Sequence, residues 1–177
     1  MNFSQWATTV PKSITGDSLW KVKVYQLALF SSDIGWHDVL VLAQDKRTIA
    51  LADQLYRALG SIGANIAEGY SYGTGPNRAR LYEYSLGSTR ESRHWYHLAR
   101  KVLGETVAVH RMDLMASLAR QLLTIIPEQR GRVLKEDATH YQIVNNKLTS
   151  DENVLVDIGP LLTDIPFMVD TMSSDKV

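Results

Sequence analysis

Glu91 and His94 form a Glu-x-x-His step, the spacing that sets a carboxylate and an imidazole on one face of a helix. In di-iron helical proteins two such steps, joined by a glutamate from each of two further helices, hold the metals. This chain has one step. The first long helical stripe contains no glutamate, and Glu68 is the only one on the second. The ligand set falls short, so no metal and no cofactor are expected. His94 and His97 share a face with Arg93, Arg100 and Lys101, beside Trp95 and Tyr96, and read as exposed or interfacial histidines.

Other signatures of catalysis fail on inspection. The segment 73–80, GTGPNRAR, has glycines ahead of a helix but lacks the Gly-Lys-Ser/Thr ending that grips phosphate. No serine, histidine or aspartate sits in a nucleophile context. The absence of cysteine removes thiolate nucleophiles, disulfides and Cys-based zinc sites together, and fits a reducing cytoplasm. The expectation is a protein without enzymatic activity.

A second polar constellation lies in 54–69, QLYRALGSIGANIAEG. Each glycine costs a helix about 1 kcal/mol relative to alanine. Gly60 and Gly63 therefore call for close approach of another helix. The third helix offers small residues at Ser85, Gly87, Ser88 and Ser92, which predicts Asn65, Glu68, Ser88 and Glu91 near one another. A satisfied polar network or a close subunit contact explains this set, because buried polar groups must be paired. A small-ligand or catalytic site is the other reading.

The elements that carry these residues follow from helical periodicity. Val22, Tyr25, Leu29, Ser32, Trp36, Val39 and Ala43 recur three and four apart behind a cap at Asp17 or Ser18. Thr48 caps a second helix with seam Ala52, Leu55, Leu59, Ile62 and Ile66, ended by Gly69. A third runs from Pro76 to Leu103 with seam Leu81, Ser85, Ser88, Ser92, Trp95, Ala99 and Val102, and stops at Gly104. A fourth starts near Val109, with seam Met112, Met115, Ala119, Leu122 and Ile126, and ends at Pro127. Short loops between such stripes predict an all-α, antiparallel up-down-up-down four-helix bundle over 17–127. Residues 1–16 read as a loose arm and 128–177 as an irregular C-terminal extension. The extension's apolar runs, Val154–Val156 and Leu161–Met168, leave docking and a floppy tail both open. No stretch has the form of a signal peptide or a membrane span.

The formal net charge of zero counts against a dedicated polyanion binder. It hides an uneven distribution. Arg78, Arg80, Arg90, Arg93, Arg100 and Lys101 crowd the third helix against Glu83 and Glu91, while the tail is acidic. The arginines can bind phosphates, and Tyr82, Tyr84, Trp95 and Tyr96 can stack on unpaired bases. An ordinary solvated face with i,i+4 pairs accounts for the same residues.

Gln54, Arg57, Ala58, Ser61, Ile62, Asn65, Ile66, Ala67, Glu68 and Gly69, followed by Gly87, Ser88 and Glu91, carry a resemblance. The chain resembles, over about residues 18–126, the bacterial four-helix-bundle proteins encoded in intervening sequences of large-subunit ribosomal RNA genes. The accessory variability proteins of diversity-generating retroelements are similar bundles. The resemblance implies a homopentameric barrel without enzymatic activity. For the retroelement relatives it implies binding of nucleic acid and a reverse transcriptase through a positive surface. It implies structural or interface roles for Gln54, Arg57, Ser61, Asn65, Glu68, Gly69, Ser88 and Glu91. The resulting expectation is a homo-oligomeric scaffold that binds RNA, DNA or a nucleic-acid-bound protein through the third helix. The alternative is a protein–protein interaction module that binds no nucleic acid.

Overall fold

The computed structural model describes residues 2–130 and 158–168. The chain is all-α, with no strand among the described residues. The short helices α1 (Phe3–Thr9) and α2 (Lys12–Thr15) lead through a 3-10 turn, Ser18–Lys21, into α3 (Lys23–Leu42). Then come α4 (Ile49–Ser71), α5 (Gly75–Leu103), α6 (Glu105–Arg130) and the short α7 (Gly159–Thr163). The four long helices share one apolar core, and α5 packs most extensively, against α6 and α4.

The N-terminal arm is not loose. Asn2 and Gln5 form a reciprocal cap that satisfies two first-turn amides of α1. Trp6 is 2% exposed, packs edge-on to Phe30 and donates its indole N–H to Asp33. Asp17 caps the 3-10 turn, and α3 begins beyond it.

On α3 the expected seam holds in part. Val39 is buried and Val22, Tyr25 and Leu29 pack half-buried against the core, but Trp36 is 49% exposed and Ala43 is exposed too, whereas Val24, Leu27, Ser31, Ile34, Gly35, Asp38 and Leu42 face the core. The helix carries two stripes, and the buried one is interrupted by a serine, a glycine and an aspartate. The α4 seam from Ala52 to Ile66 is buried as expected. Thr48 stands at the N-cap position of α4 as expected, but its side chain caps no amide; the hydroxyl donates instead to the Leu42 carbonyl at 2.6 Å and closes the loop.

Glycines act elsewhere than expected. Gly60 faces open space, and Gly63 lies in ordinary contact with Ala28 and Leu29 of α3. Gly69 does not end α4. It lets α5 come close: a methyl there would sit 2.9 Å from the Tyr82 ring and 3.1 Å from Leu81. Gly104, at φ 76, makes the turn between α5 and α6 alone, so α6 starts four residues ahead of the expected Val109. Pro127 is inside α6 and does not stop it. The last turn is held from outside: Gln129 accepts from Arg78 at 3.0 Å, and Arg130 pairs with Glu83 at 2.8 Å. A side chain at Gly75 would lie 2.2 Å from the Gln129 carbonyl oxygen.

Of the expected extension, 128–130 complete α6 and 158–168 dock on the helical core through Ile158, Leu162, Ile165 and Phe167. Val154–Val156 and the acidic residues between Glu136 and Asp157 and beyond Met168 lie outside the described residues.

Candidate functional site

Three buried helix faces bring ionisable side chains together. Asp38 stands on α3 between Ile34 and Leu42, Tyr96 on α5 between Ser92 and Ala99, and Arg111 on α6 between Val107 and Leu114. At strides of three and four these positions must point inward with their apolar neighbours. Gly35 gives room for them, since a methyl there would lie 3.2 Å from the Tyr96 hydroxyl and 2.4 Å from Leu59.

Asp38 Oδ2 accepts from Arg111 Nε at 2.8 Å and from the Tyr96 hydroxyl at 3.0 Å; Oδ1 accepts from Arg111 Nη2 at 3.2 Å. Arg111 is fully buried. Its Nη1 faces His110 Nδ1 at 2.9 Å, and its Nη2 also donates to the Pro166 carbonyl at 3.0 Å. The Phe167 ring covers the guanidinium, 5.3 Å from the ring centroid. His110 Nε2 meets the Leu161 carbonyl at 2.9 Å. The cluster ties α3, α5 and α6 to the C-terminal segment.

The electrostatics suit a clasp better than a reaction centre. Burial, and then the Asp38 charge, push the Tyr96 phenol far above its ordinary value, so it keeps its proton and donates. Burial, then the Arg111 charge, press His110 below its ordinary value. Burial raises the Asp113 carboxyl nearby. Two clefts flank the C-terminal segment. One, of about 460 Å³, is bounded by His37, Leu40, Gln44 and Phe167; the other, of about 440 Å³, by Glu105, Val109, Asp113 and Asp164. Among the described residues no group of three or more His, Asp or Glu side chains is placed to hold a metal ion.

The α4–α5 contact gathers part of the expected polar set. Asn65 donates to the Ser61 carbonyl at 2.8 Å and to its hydroxyl at 3.0 Å; Ser88 reaches the same hydroxyl at 3.0 Å; Ser85 donates to the Ile62 carbonyl at 3.0 Å. Glu68 and Glu91 stay outside, exposed, and Glu91 accepts from the Trp95 indole at 3.1 Å. Gln54 is half-buried, and exposed Arg57 pairs with Asp53 at 3.0 Å along α4.

The basic residues divide into two groups, Arg78 and Arg80 toward the start of α5 and Arg90 to Lys101 toward its end, with about 15 Å of helix between Arg80 and Arg90 at 1.5 Å per residue. Arg78 is structural in placement: its Nη2 donates to the Tyr72 carbonyl, its Nη1 to Gln129. Arg80 lies over the Tyr84 ring at 5.8 Å. Farther along, Arg90, His94, His97 and Lys101 are exposed on successive turns of one outward face, flanked by half-buried Arg93 and Arg100. Tyr82 and Tyr96 are buried, so they are not stacking platforms.

The model that describes the 23S rRNA-intervening sequence protein family matches residues 21–124. The chain belongs to that family. A crystal structure of a protein with unknown function, from the S23 ribosomal protein family of Bacteroides thetaiotaomicron, has a similar fold. Its identity to this chain is 18% and the TM-score 0.55, over 58% of this chain and 97% of that one. No curated protein matches. In this intervening-sequence family member the matched stretch holds Asp38, Tyr96, His110 and Arg111, while residues 158–168 fall outside it.

Sequence reasoning passed over Asp38, His110 and Arg111, and read Tyr96 as a stacking residue where it is a buried donor to Asp38. A signal was there: one acid and one base each interrupt an apolar stripe at helical spacing. Fully buried charges survive in pairs, so two such interruptions on different helices point at each other. No helix among the described residues is long and apolar enough to cross a membrane.

Proposed function

We propose that this chain is a non-enzymatic, self-assembling scaffold, an antiparallel up-down-up-down four-helix bundle that engages nucleic acid or a ribonucleoprotein through α5. The observation that carries the reading is the outward face of α5, where Arg90, His94, His97 and Lys101 follow one another with Arg93 and Arg100 alongside. Glu91 is the single acid in this half of the helix, and it is engaged by Trp95. Cations at helical spacing match a phosphate backbone. Of the four aromatic groups that could stack on bases, Tyr82 and Tyr96 are buried and Trp95 half-buried, and exposed Tyr84 lies beside Arg80, away from this face, so on the face itself phosphate contacts outweigh stacking and duplex is favoured over single strands.

Self-assembly, as a homopentamer by family resemblance, is supported by exposed apolar groups on α3 and α4. Trp36 and Leu40 stand 49% and 48% exposed, and Trp36 packs edge-on to exposed Tyr56 with centroids 5.4 Å apart. Short inter-helix connections support the antiparallel arrangement. A cytoplasmic location goes with the cysteine-free composition.

The test compares duplex RNA, single-stranded RNA and duplex DNA binding by the purified oligomer across a salt series. Affinity should fall steeply with salt, and the triple change Arg90→Glu, Arg93→Glu, Arg100→Glu should abolish it while the oligomer persists. Binding that survives the triple change sinks the α5 assignment. No binding at low salt promotes the second reading, a protein–protein interaction module, which the exposed Trp36–Tyr56 patch favours.

A further inference from the structure

We propose that residues 158–168 are a strap whose grip on the groove between α3 and α6 is switched by the proton on His110: the neutral ring holds it, the imidazolium lets it go. The strap's polar anchorage converges on two adjacent side chains. His110 Nε2 takes the Leu161 carbonyl at 2.9 Å, and Arg111 Nη2 takes the Pro166 carbonyl at 3.0 Å. Phe167 lies over the Arg111 guanidinium and edge-on to His37.

Both ring nitrogens of His110 are committed. Arginine has donors and no acceptor, so Nδ1, 2.9 Å from Arg111 Nη1, must offer a lone pair. Leu161 offers only a carbonyl, so Nε2 must carry the hydrogen. One tautomer of the neutral ring satisfies both. The imidazolium would set N–H against N–H and a second positive charge beside a fully buried guanidinium. The surrounding groups do not rescue it. Asp38, on α3, is already shared by Arg111 and Tyr96. The Leu161 carbonyl and, more weakly, Asp113 on α6 favour the proton but are outweighed by burial and by Arg111. Glu105 and the strap's own Asp164 stand farther round the adjoining cleft, and His37 meets Phe167 edge-on.

The direction follows. Burial is the largest of the causes that press His110 below its ordinary value; Arg111 stays beside the ring in either form, so it is the burial added by Leu161 and Pro166 that makes the docked form disfavour the proton. Docking is complete above about pH 6.5, where a free histidine is neutral, and is lost as pH falls through the docked value. The half-buried Asp113 carboxyl, pushed upward by that burial, takes its proton more readily with the strap in place. It opposes release and cannot imitate it. Release would expose Leu162, Ile165 and Phe167 and join the two flanking clefts into one groove.

Hydrogen exchange of the full chain reads this directly. Leu162 and Asp164 donate to Ile158 and Pro160 within a helix too short to stand alone, so their protection reports docking. With intrinsic rates corrected, their protection should fall up to tenfold per pH unit below about 6.5, while α4 and α5 amides hold. Phe167→Ala supplies the released reference. His110→Gln keeps a donor for Leu161 and an acceptor for Arg111 with nothing to protonate, and its strap should show no pH dependence. Unchanged strap protection in the parent from pH 8 to 5, or the same fall in His110→Gln, overturns the proposal. Should His110→Gln fail to hold the strap at pH 8, the parent ring's own NMR titration decides. Titration in step with release supports the switch, and release with the ring still neutral refutes it.

Discussion

Two polar inclusions interrupt the helical core, and they are built on opposite principles. Between α4 and α5, Ser61, Asn65, Ser85 and Ser88 bond to one another or to backbone carbonyls within a turn or across one contact. Among α3, α5 and α6, the Asp38 carboxylate joins the Tyr96 phenol and the Arg111 guanidinium, 58 and 73 residues away in the chain. A hydroxyl loses little on burial, because a neighbouring carbonyl replaces water. A guanidinium and a carboxylate lose several kcal/mol each, roughly, and recover it only with near-complete pairing. The first inclusion tolerates damage; the second is stable only while every member is present.

The largest expected effect tests that difference. Arg111→Ala should destabilise the fold by about 3–5 kcal/mol, because Asp38 is left buried and uncompensated. Chemical denaturation followed by helical circular dichroism measures it. Replacing all three members, Asp38→Leu with Arg111→Met and Tyr96→Phe, should recover most of the loss, since the apolar groups need no pairing and no phenol hydroxyl is left without its acceptor. A single change costing under about 1 kcal/mol would mean that water reaches Asp38, and the contrast would collapse.

Ser85→Ala is the matching probe of the other inclusion. Ser85 is fully buried, and its hydroxyl donates to the Ile62 carbonyl at 3.0 Å. That carbonyl is also placed to accept its own helical bond, so no group is orphaned. The expected loss is about 1 kcal/mol by the same denaturation measurement. A loss approaching that of Arg111→Ala would show the α4–α5 contact to be as brittle as the charged one.

The same contrast explains what could be read from the sequence. The α4 seam is a clean alternation of alanine, leucine and isoleucine, and periodicity alone identified it. The serines of α5 were legible because small residues on facing helices imply contact. On α3 two stripes compete, and the one with Trp36, half-buried for most of its length, looks more apolar than the fully buried one broken by Ser31, Gly35 and Asp38. Periodicity weighs each residue by its own polarity. It cannot credit Asp38 with a partner 73 positions later. The basic face of α5 was visible as composition, but which arginines reach outward depended on the loop and on α6. Arg78 is taken up by Tyr72 and Gln129. The docked strap was visible only as apolar residues in a tail, because its anchors are main-chain carbonyls that every sequence possesses.

The smallest effect concerns the glycine that the helix contact does not require. Gly60 sits mid-helix in α4, and a methyl there would meet nothing within 4 Å. Alanine loses less backbone entropy on entering a helix, so Gly60→Ala should stabilise the isolated fold by up to about 1 kcal/mol. Thermal unfolding and light scattering, run together, separate two meanings. A gain with the oligomer unchanged places Gly60 on free surface. A gain in the fold with loss of the oligomer would place the backbone of a second copy against α4. The helix approach that the paired glycines first suggested would then lie between chains.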